Sequence, residues 1–242
     1  MKPSEHRRMA DVEERHWWYR ALRRRVVSDL AADGLRDGDP VLDAGCGTGG
    51  TWRALSRRWP ALDYTGLDPA EEALSAARAA GAPRLVRAGL DDAPPVAGQR
   101  AIICLDTLYY AADEAAALAR LRGALRPGGC LLLNLPAFDC ARGRHDEAVG
   151  VTRRYRRPRV AELLRGAGFA VERCEYWNAA LFPVALAWRA ATRSSGGEAR
   201  SDLAMPPAPL NAALAGWLDL ERRLGRLLPP PFGLSVYALA RA

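Results

Sequence analysis

At 242 residues and 49% hydrophobic content, the chain is long enough for one well-buried α/β core plus an insertion, and too short for two full domains. Its formal net charge of +7 rests on arginine, since Lys2 is the only lysine, and reads as compositional bias rather than a nucleic-acid-binding face. The five cysteines form no Cys-x-x-Cys pair and no apolar run could span a bilayer, so the expectation is free thiols, no metal site, no secretory leader and a cytoplasmic protein.

Residues 1–35 form the first unit, in which Ser4 to Asp33 predicts one or two helices rich in Arg and Glu. Its middle carries His16-Trp17-Trp18-Tyr19, and successive aromatics cannot all share one helical face. Either they staple the helix to the domain, or the helix is a lid in which Tyr19 or Arg23 meets a ligand carboxylate. A guanidinium fork can hold such a group through two hydrogen bonds.

Val41 to Gly50 reads as a buried strand, a glycine-rich turn and the start of a helix. Gly45, Gly47 and Gly49 remove side chains where the backbone must turn and a ligand can lie against it. Gly45, Gly47 and Gly50 also satisfy G-x-G-x-x-G, the spacing of a dinucleotide site that holds a pyrophosphate on a helix N-terminus. Asp43 argues against that ligand, because like charges in one crevice repel. A carboxylate there suits a ligand with an ammonium group.

A second short strand, Asp63 to Asp68, ends in an acid that can accept hydrogen bonds from ribose hydroxyls or cap the helix starting near Ala70. Pro69 marks the boundary. The third strand is Arg84 to Ala88, and the fourth is Ala101 to Asp106, entering Thr107-Leu108-Tyr109-Tyr110. A helix from Glu114 to Leu125 closes at Pro127-Gly128-Gly129 and leads into a fifth strand, Cys130 to Leu135. Alternating strands and helices predict an α/β domain with a parallel sheet, and its ligand belongs outside the strands' carboxyl ends. Asp43, Asp68, Gly89 and Asp106 all fall at such ends and should line one crevice.

The polar stretch Cys140 to Arg159 leaves the sheet on the ligand side and contains His145-Asp146-Glu147. His145 is the candidate general base, which a neighbouring acid could orient. The run Arg153 to Arg157 reads as a solvated face leading to a helix from Val160 to Arg165. Phe169 to Glu175 and Leu234 to Ala240 read as the last two strands. Between them, residues 177–232 form an insertion too long for a hairpin, with an apolar segment (Ala179 to Ala191), a disordered-looking tract (Ser194 to Pro209) and a helix (Leu210 to Leu228). The apolar segment could cover a hydrophobic substrate pocket, form a homodimer contact or touch a membrane surface, in that order.

The motif Asp43-x-Gly45-x-Gly47-x-Gly49, with Asp68 downstream and Leu-x-Pro-Gly-Gly before the fifth strand, resembles class I S-adenosylmethionine-dependent methyltransferases. His16 to Tyr19, His145 to Gly150 and Ser201 to Pro207 look like segments of a bacterial small-molecule subfamily. The resemblance implies a Rossmann-like sheet of seven strands, the last antiparallel, with helices on both faces. It implies S-adenosyl-L-methionine as cofactor and in-line methyl transfer to an O, N or C nucleophile of a small molecule, hydrophobic or acidic. Cofactor contacts then fall to Gly45, Cys46, Gly47 and Gly49 of the turn, with Asp43 before it. Asp68 and Pro69 follow at the second strand, Gly89, Leu90 and Leu105 at the third and fourth, and Tyr19 and Arg23 come from the lid.

Two departures stand out. Gly89 occupies the place where relatives commonly put an aspartate for the adenine, leaving the Leu90 backbone, Asp91 or Asp92 to substitute. Two tyrosines stand where many relatives carry a histidine or glutamate, which makes Tyr110 a second catalytic candidate. Competing readings are a nicotinamide-dependent oxidoreductase, a non-catalytic adenosylmethionine-binding regulator, and an enzyme that uses the cofactor without methyl transfer.

Overall fold

The computed structural model describes residues 12–92, 94, 96–192, 205–225 and 227–242, and within these the side chains of residues 145, 188 and 190–192 lie outside the description. Five strands run parallel: β1 (Pro40–Ala44), β2 (Asp63–Asp68), β3 (Arg84–Arg87), β4 (Gln99–Leu105) and β5 (Leu125–Pro136). Two more follow, β6 (Ala170–Trp177) and β7 (Ser235–Arg241), and the sheet order is β3-β2-β1-β4-β5-β7-β6. Only β7 is reversed, pairing antiparallel with both β5 and β6. The expected single antiparallel strand is therefore the last in sequence but not the last in space.

Strand alternation explains why both faces must be covered. Leu42, Ile102, Leu131 and Ala240 are register partners across four strands and face one core, each fully buried. Val41, Ala101 and Cys130, one residue earlier, face the opposite core. Helices α1 (Trp17–Ala32), α2 (Gly50–Ser56), α3 (Glu71–Ala79) and α4 (Glu114–Ala124) supply the layers, with α5 (Arg144–Val149) and α6 (Arg157–Gly166) following β5. Helix α6 starts earlier than the apolar spacing suggests because Pro158 suits its first turn. The insertion contributes α7 (Leu181–Thr192) and α8 (Ala208–Gly225), the latter shifted about half a turn upstream of its expected bounds. Of the tract expected to be disordered, residues 194–204 lie outside the described residues, while Ala208 and Pro209 already belong to α8.

Helix α1 is fastened to the sheet rather than resting on it. Leu22, Val26 and Leu30 join the core that contains Val41, Ile103 and Tyr237. Arg25, with 1% exposure, lies 3.8 Å over the Tyr237 ring and pairs with Glu175 on β6. Asp29 of the same helix pairs with Arg173 at 2.6 Å. From the other side α8 braces it: Trp17 N donates to Asn211 Oδ1 at 2.8 Å, Asn211 Nδ2 donates to the Arg15 carbonyl at 2.7 Å, and Arg24 pairs with Asp219 at 2.8 Å. Residues 12–16, just before α1, are held between α8 and the glycine-rich turn. Among the described residues no helix is long and apolar enough to cross a membrane, and no cluster of His, Cys, Asp and Glu could hold a metal ion.

Candidate functional site

Between β1 and β4 the order of strands reverses, and a cavity of about 700 Å³ opens there beyond their carboxyl ends. The glycine-rich turn forms one wall. Gly45 and Cys46 donate their backbone N–H groups to the Leu67 carbonyl at 2.7 and 2.9 Å, folding the turn back onto β2. Gly45 adopts φ +93°, and a Cβ there would come within 2.1 Å of Thr107 Oγ1, so no other residue fits. A Cβ at Gly50 would displace the Arg23 guanidinium and the Glu13 carboxylate, the latter at 2.6 Å.

Asp68 stands at the end of β2, facing the cavity. Its Oδ2 accepts from Gly47 N at 3.1 Å and its Oδ1 from Ala70 N at 2.9 Å. Two backbone amides thus fix the carboxylate, one on each oxygen. The N-cap of α3 is Ala70, which makes no side-chain cap, so Asp68 anchors the turn before the helix while keeping lone pairs toward the cavity. Asp43 lies elsewhere. It is off the cavity wall and 1% exposed, accepting from the Tyr64 hydroxyl at 2.8 Å. Burial pushes its carboxyl up to about 7, helped by the nearby Asp68 and Glu13 charges and opposed by hydrogen bonds from Tyr64 and Thr51. Asp43 therefore ties β1, β2 and α2 together beneath the turn, and any influence on a ligand passes through the loop above it.

Sequence reading missed Glu13. It is 4% exposed, lines the cavity, and accepts from Thr48 Oγ1 at 2.7 Å and from Arg53 at 3.1 Å. Its other oxygen pairs with Arg23 at 3.6 Å, and Arg23 also donates to the Glu13 carbonyl. Arg23 thus lines the cavity already partnered. No local pattern flags Glu13, because its partners lie 35 and 40 residues away.

Cys46, Gly47, Pro69, Gly89, Leu90 and Leu105 all reach the cavity, as do Tyr19 and Tyr110. Gly49 does not line it and serves as the left-handed N-cap of α2, φ 85°. Asp92 accepts from Gly89 N at 2.7 Å, and Asp91 accepts from Ala112 N at 3.1 Å, so both acids brace the loop they belong to. Trp17 and Trp18 line the cavity, and Trp18 also stacks on Trp177 at 6.3 Å, so the aromatic run serves as both staple and wall. Trp177 lies behind the wall, 4% exposed, its Nε1 donating to Asn134 Oδ1 at 2.8 Å.

The cavity is also lined by Asp106, Tyr109, Tyr110, Val149 and Arg154. Tyr110 spends its hydroxyl on the Val149 carbonyl, and burial raises its pKa, which leaves it no base at neutral pH. Arg154 is not part of a solvated face: its side chain is 5% exposed and holds Asp146 through two hydrogen bonds of 2.9 and 3.1 Å. His145 belongs to α5, and its side chain lies outside the described residues.

The parallel sheet, its reversal point and the acid-bearing strand ends define a Rossmann-like domain with a cavity at the reversal point. Residues 41–129 match the family described as methyltransferase domain. A trans-aconitate 2-methyltransferase of Pseudomonas paraeruginosa is 32% identical over 131 residues, covering 51% of this chain and 48% of that protein. The chain spans about half the length of the curated relatives it matches. Among solved structures, an S-adenosylmethionine-dependent methyltransferase from Mesorhizobium loti gives a TM-score of 0.58 at 20% identity, covering 89% of this chain and 96% of that one. Magnesium protoporphyrin IX methyltransferase from Synechocystis, solved with bound S-adenosylmethionine, gives 0.52 at 22% identity over 64% and 71% of the two chains. Over residues 41–129 the chain is thus similar to a methyltransferase domain, and its sheet shares the fold of S-adenosylmethionine-dependent methyltransferases.

The buried Asp43 generates a stability prediction. A carboxyl raised from 3.8 to about 7 binds its proton more tightly in the folded chain than in the unfolded one. Its stabilising contribution is full below the unfolded value and is lost as pH rises through the folded one. The melting temperature should therefore fall between about pH 4 and pH 7, and fall less in Asp43→Asn. Equal slopes in the two proteins, followed by circular dichroism, would contradict this assignment.

Proposed function

We propose that the protein transfers a methyl group from S-adenosylmethionine to a small molecule. The observation that carries this reading is the Glu13 carboxylate at the head of α2. A dinucleotide would place its pyrophosphate there, and that position already holds a negative charge paired with Thr48, Arg53 and Arg23. The residues present fit an adenosylmethionine instead. Asp68 offers carboxylate oxygens to two ribose hydroxyls, and Leu90 with Gly89 flanks a flat base. Glu13 and the Gly45 turn suit the ammonium end, and Arg23, already paired with Glu13, lines the cavity beside them.

When bound, the cofactor supplies a methyl group already activated on a sulfonium. The chain's task is then to position the acceptor in line and exclude water, effects worth on the order of 7–11 kcal/mol in the best cases. Trp17, Trp18, Tyr109 and Tyr110 supply a water-excluding wall, which favours an acceptor with apolar surface. Residues 1–35 and the insertion at 177–232 act together as the cover, an arrangement supported by the bracing of α1 by α8. Tyr110 and His145 remain second to Asp106 as acceptor-side groups, and a cytoplasmic setting agrees with the buried free thiols of Cys46, Cys104 and Cys130.

Calorimetry tests the cofactor reading. Adenosylhomocysteine should bind, NAD should not, and Asp68→Ala should weaken adenosylhomocysteine by about 10–150-fold, the loss of a charged hydrogen bond or two. Clear binding of NAD with none of adenosylhomocysteine would overturn it.

A homodimer is the assembly this reading favours. The outward face of α8 presents Leu210, Trp217, Leu220 and Leu224, each at least 45% exposed, around the small residues Ala213 and Gly216. Asp219 and Arg222 turn inward to α1, while the exposed Arg223 lies beside Leu220 at the edge of that face. Sedimentation should show a concentration-dependent dimer that Trp217→Glu dissociates. A monomer at every concentration would end the proposal.

A further inference from the structure

We propose that Asp106 is the proton acceptor in the cavity, and that the methyl acceptor therefore presents a protonated oxygen or nitrogen rather than a carboxylate. This rests on the methyl-transfer reading and extends it to the chemical class of the substrate.

Three features of Asp106 agree. First, its backbone is left-handed, φ 51°, in a residue other than glycine, a conformation that costs on the order of 1 kcal/mol and persists only where the surroundings enforce it. Asp106 N still donates to the Asn134 carbonyl at 2.8 Å, so the strand ladder continues to this residue and the chain then turns sharply. Second, the carboxylate lines the cavity while its back is held by one donor: Asn134 Nδ2 reaches both oxygens at 3.0 Å. Asn134 is fully buried, and the Trp177 Nε1–H bound to its Oδ1 at 2.8 Å fixes which end of the amide points at Asp106. A flip would put a carbonyl against a carboxylate and leave the indole unpaired. Tryptophan, asparagine and aspartate thus form a chain whose only product is the orientation of this carboxylate.

Third, the charge balance leaves Asp106 able to change protonation near neutrality. Arg154, from the segment before α6, faces it but is engaged by Asp146. Tyr109 and Tyr110 approach from the turn after β4, both with raised pKa values, and the Cys104 thiol on β4 is buried and raised. Burial pushes the Asp106 carboxyl up to about 7, against the Asn134 hydrogen bonds and the Arg154 charge that pull it down. A base poised there can both take and release a proton at working pH.

The step balances. The lone pair on the acceptor oxygen or nitrogen forms a bond to the methyl carbon as the carbon–sulfur bond breaks with its electrons going to sulfur. The proton on that oxygen or nitrogen passes to an Asp106 Oδ and later to water. A carboxylate acceptor carries no such proton and would meet a like charge at Asp106, so this chain should differ from the trans-aconitate enzymes to which it is similar.

Carbon-13 NMR of protein labelled at aspartate carboxyls tests the assignment without cofactor or substrate. The signal lost in Asp106→Asn, a substitution that keeps shape and tolerates φ > 0, should titrate near 7 in the wild type. Trp177→Phe, which frees the Asn134 amide, should move that midpoint upward and also serves if Asp106→Asn does not fold. A midpoint in the ordinary carboxylate range, or one indifferent to Trp177→Phe, would overturn the role of Asp106. Trans-aconitate offered as the acceptor probe with S-adenosylmethionine should give no methylated product; product formation would overturn the substrate class. Failure of both proteins to bind adenosylhomocysteine would instead sink the methyl-transfer reading, while the titration still decides Asp106.

Discussion

A carboxylate that is almost wholly removed from water must be paired, and Glu13 finds its partners around the start of the helix that follows the glycine turn. Thr48, Arg53 and Arg23 converge on it from three segments of the chain. Breaking such a buried pair by removing one partner typically costs about 3–5 kcal/mol, so the contact holds the N-terminal segment, the turn and α1 in one arrangement. It also determines what the cavity accepts. The helix start thereby carries its own anion, already held by Thr48, Arg53 and Arg23. At Gly50 this carboxylate and Arg23 occupy the space a side chain would need.

The sheet supplies the second constraint. Because β1 to β4 run parallel, their carboxyl ends lie at one level, and the reversal of order between β1 and β4 opens a gap there. Gly45, Asp68, Gly89 and Asp106 are the residues found at that level, and all four line the cavity. Asp68 and Asp106 are both acids at strand ends, yet their surroundings separate their roles. Asp68 is held by two backbone amides, one on each oxygen, whereas burial raises Asp106 into the neutral range.

Much of this was legible in the sequence. The strand–turn–helix at Val41 to Gly50, the acid at Asp68 and the five parallel strands follow from apolar runs, glycines and prolines that act locally. The helix of the insertion was visible too, though its start was misplaced because Pro209 reads as loop and in fact suits a first helical turn. What stayed hidden depends on distant partners. Glu13 looks like any surface glutamate until Thr48 and Arg53 fold onto it. Arg154 sits in a run that reads as solvated, and only α5 returning with Asp146 buries it. The placement of β7 between β5 and β6 requires a pairing that no local spacing encodes. Trp177 looks like a pocket residue by type, but Asn134 draws its indole N–H to the back of the wall.

The central claim is that a fixed internal carboxylate, rather than a vacant helix start, meets the ligand at the glycine turn. A crystal structure with adenosylhomocysteine tests it most directly. The account predicts Glu13 still bound to Thr48 and Arg53, the ribose hydroxyls on Asp68, and the sulfur turned toward Asp106. A structure in which Glu13 has left the turn and the ligand's own anionic group has taken its place would contradict it.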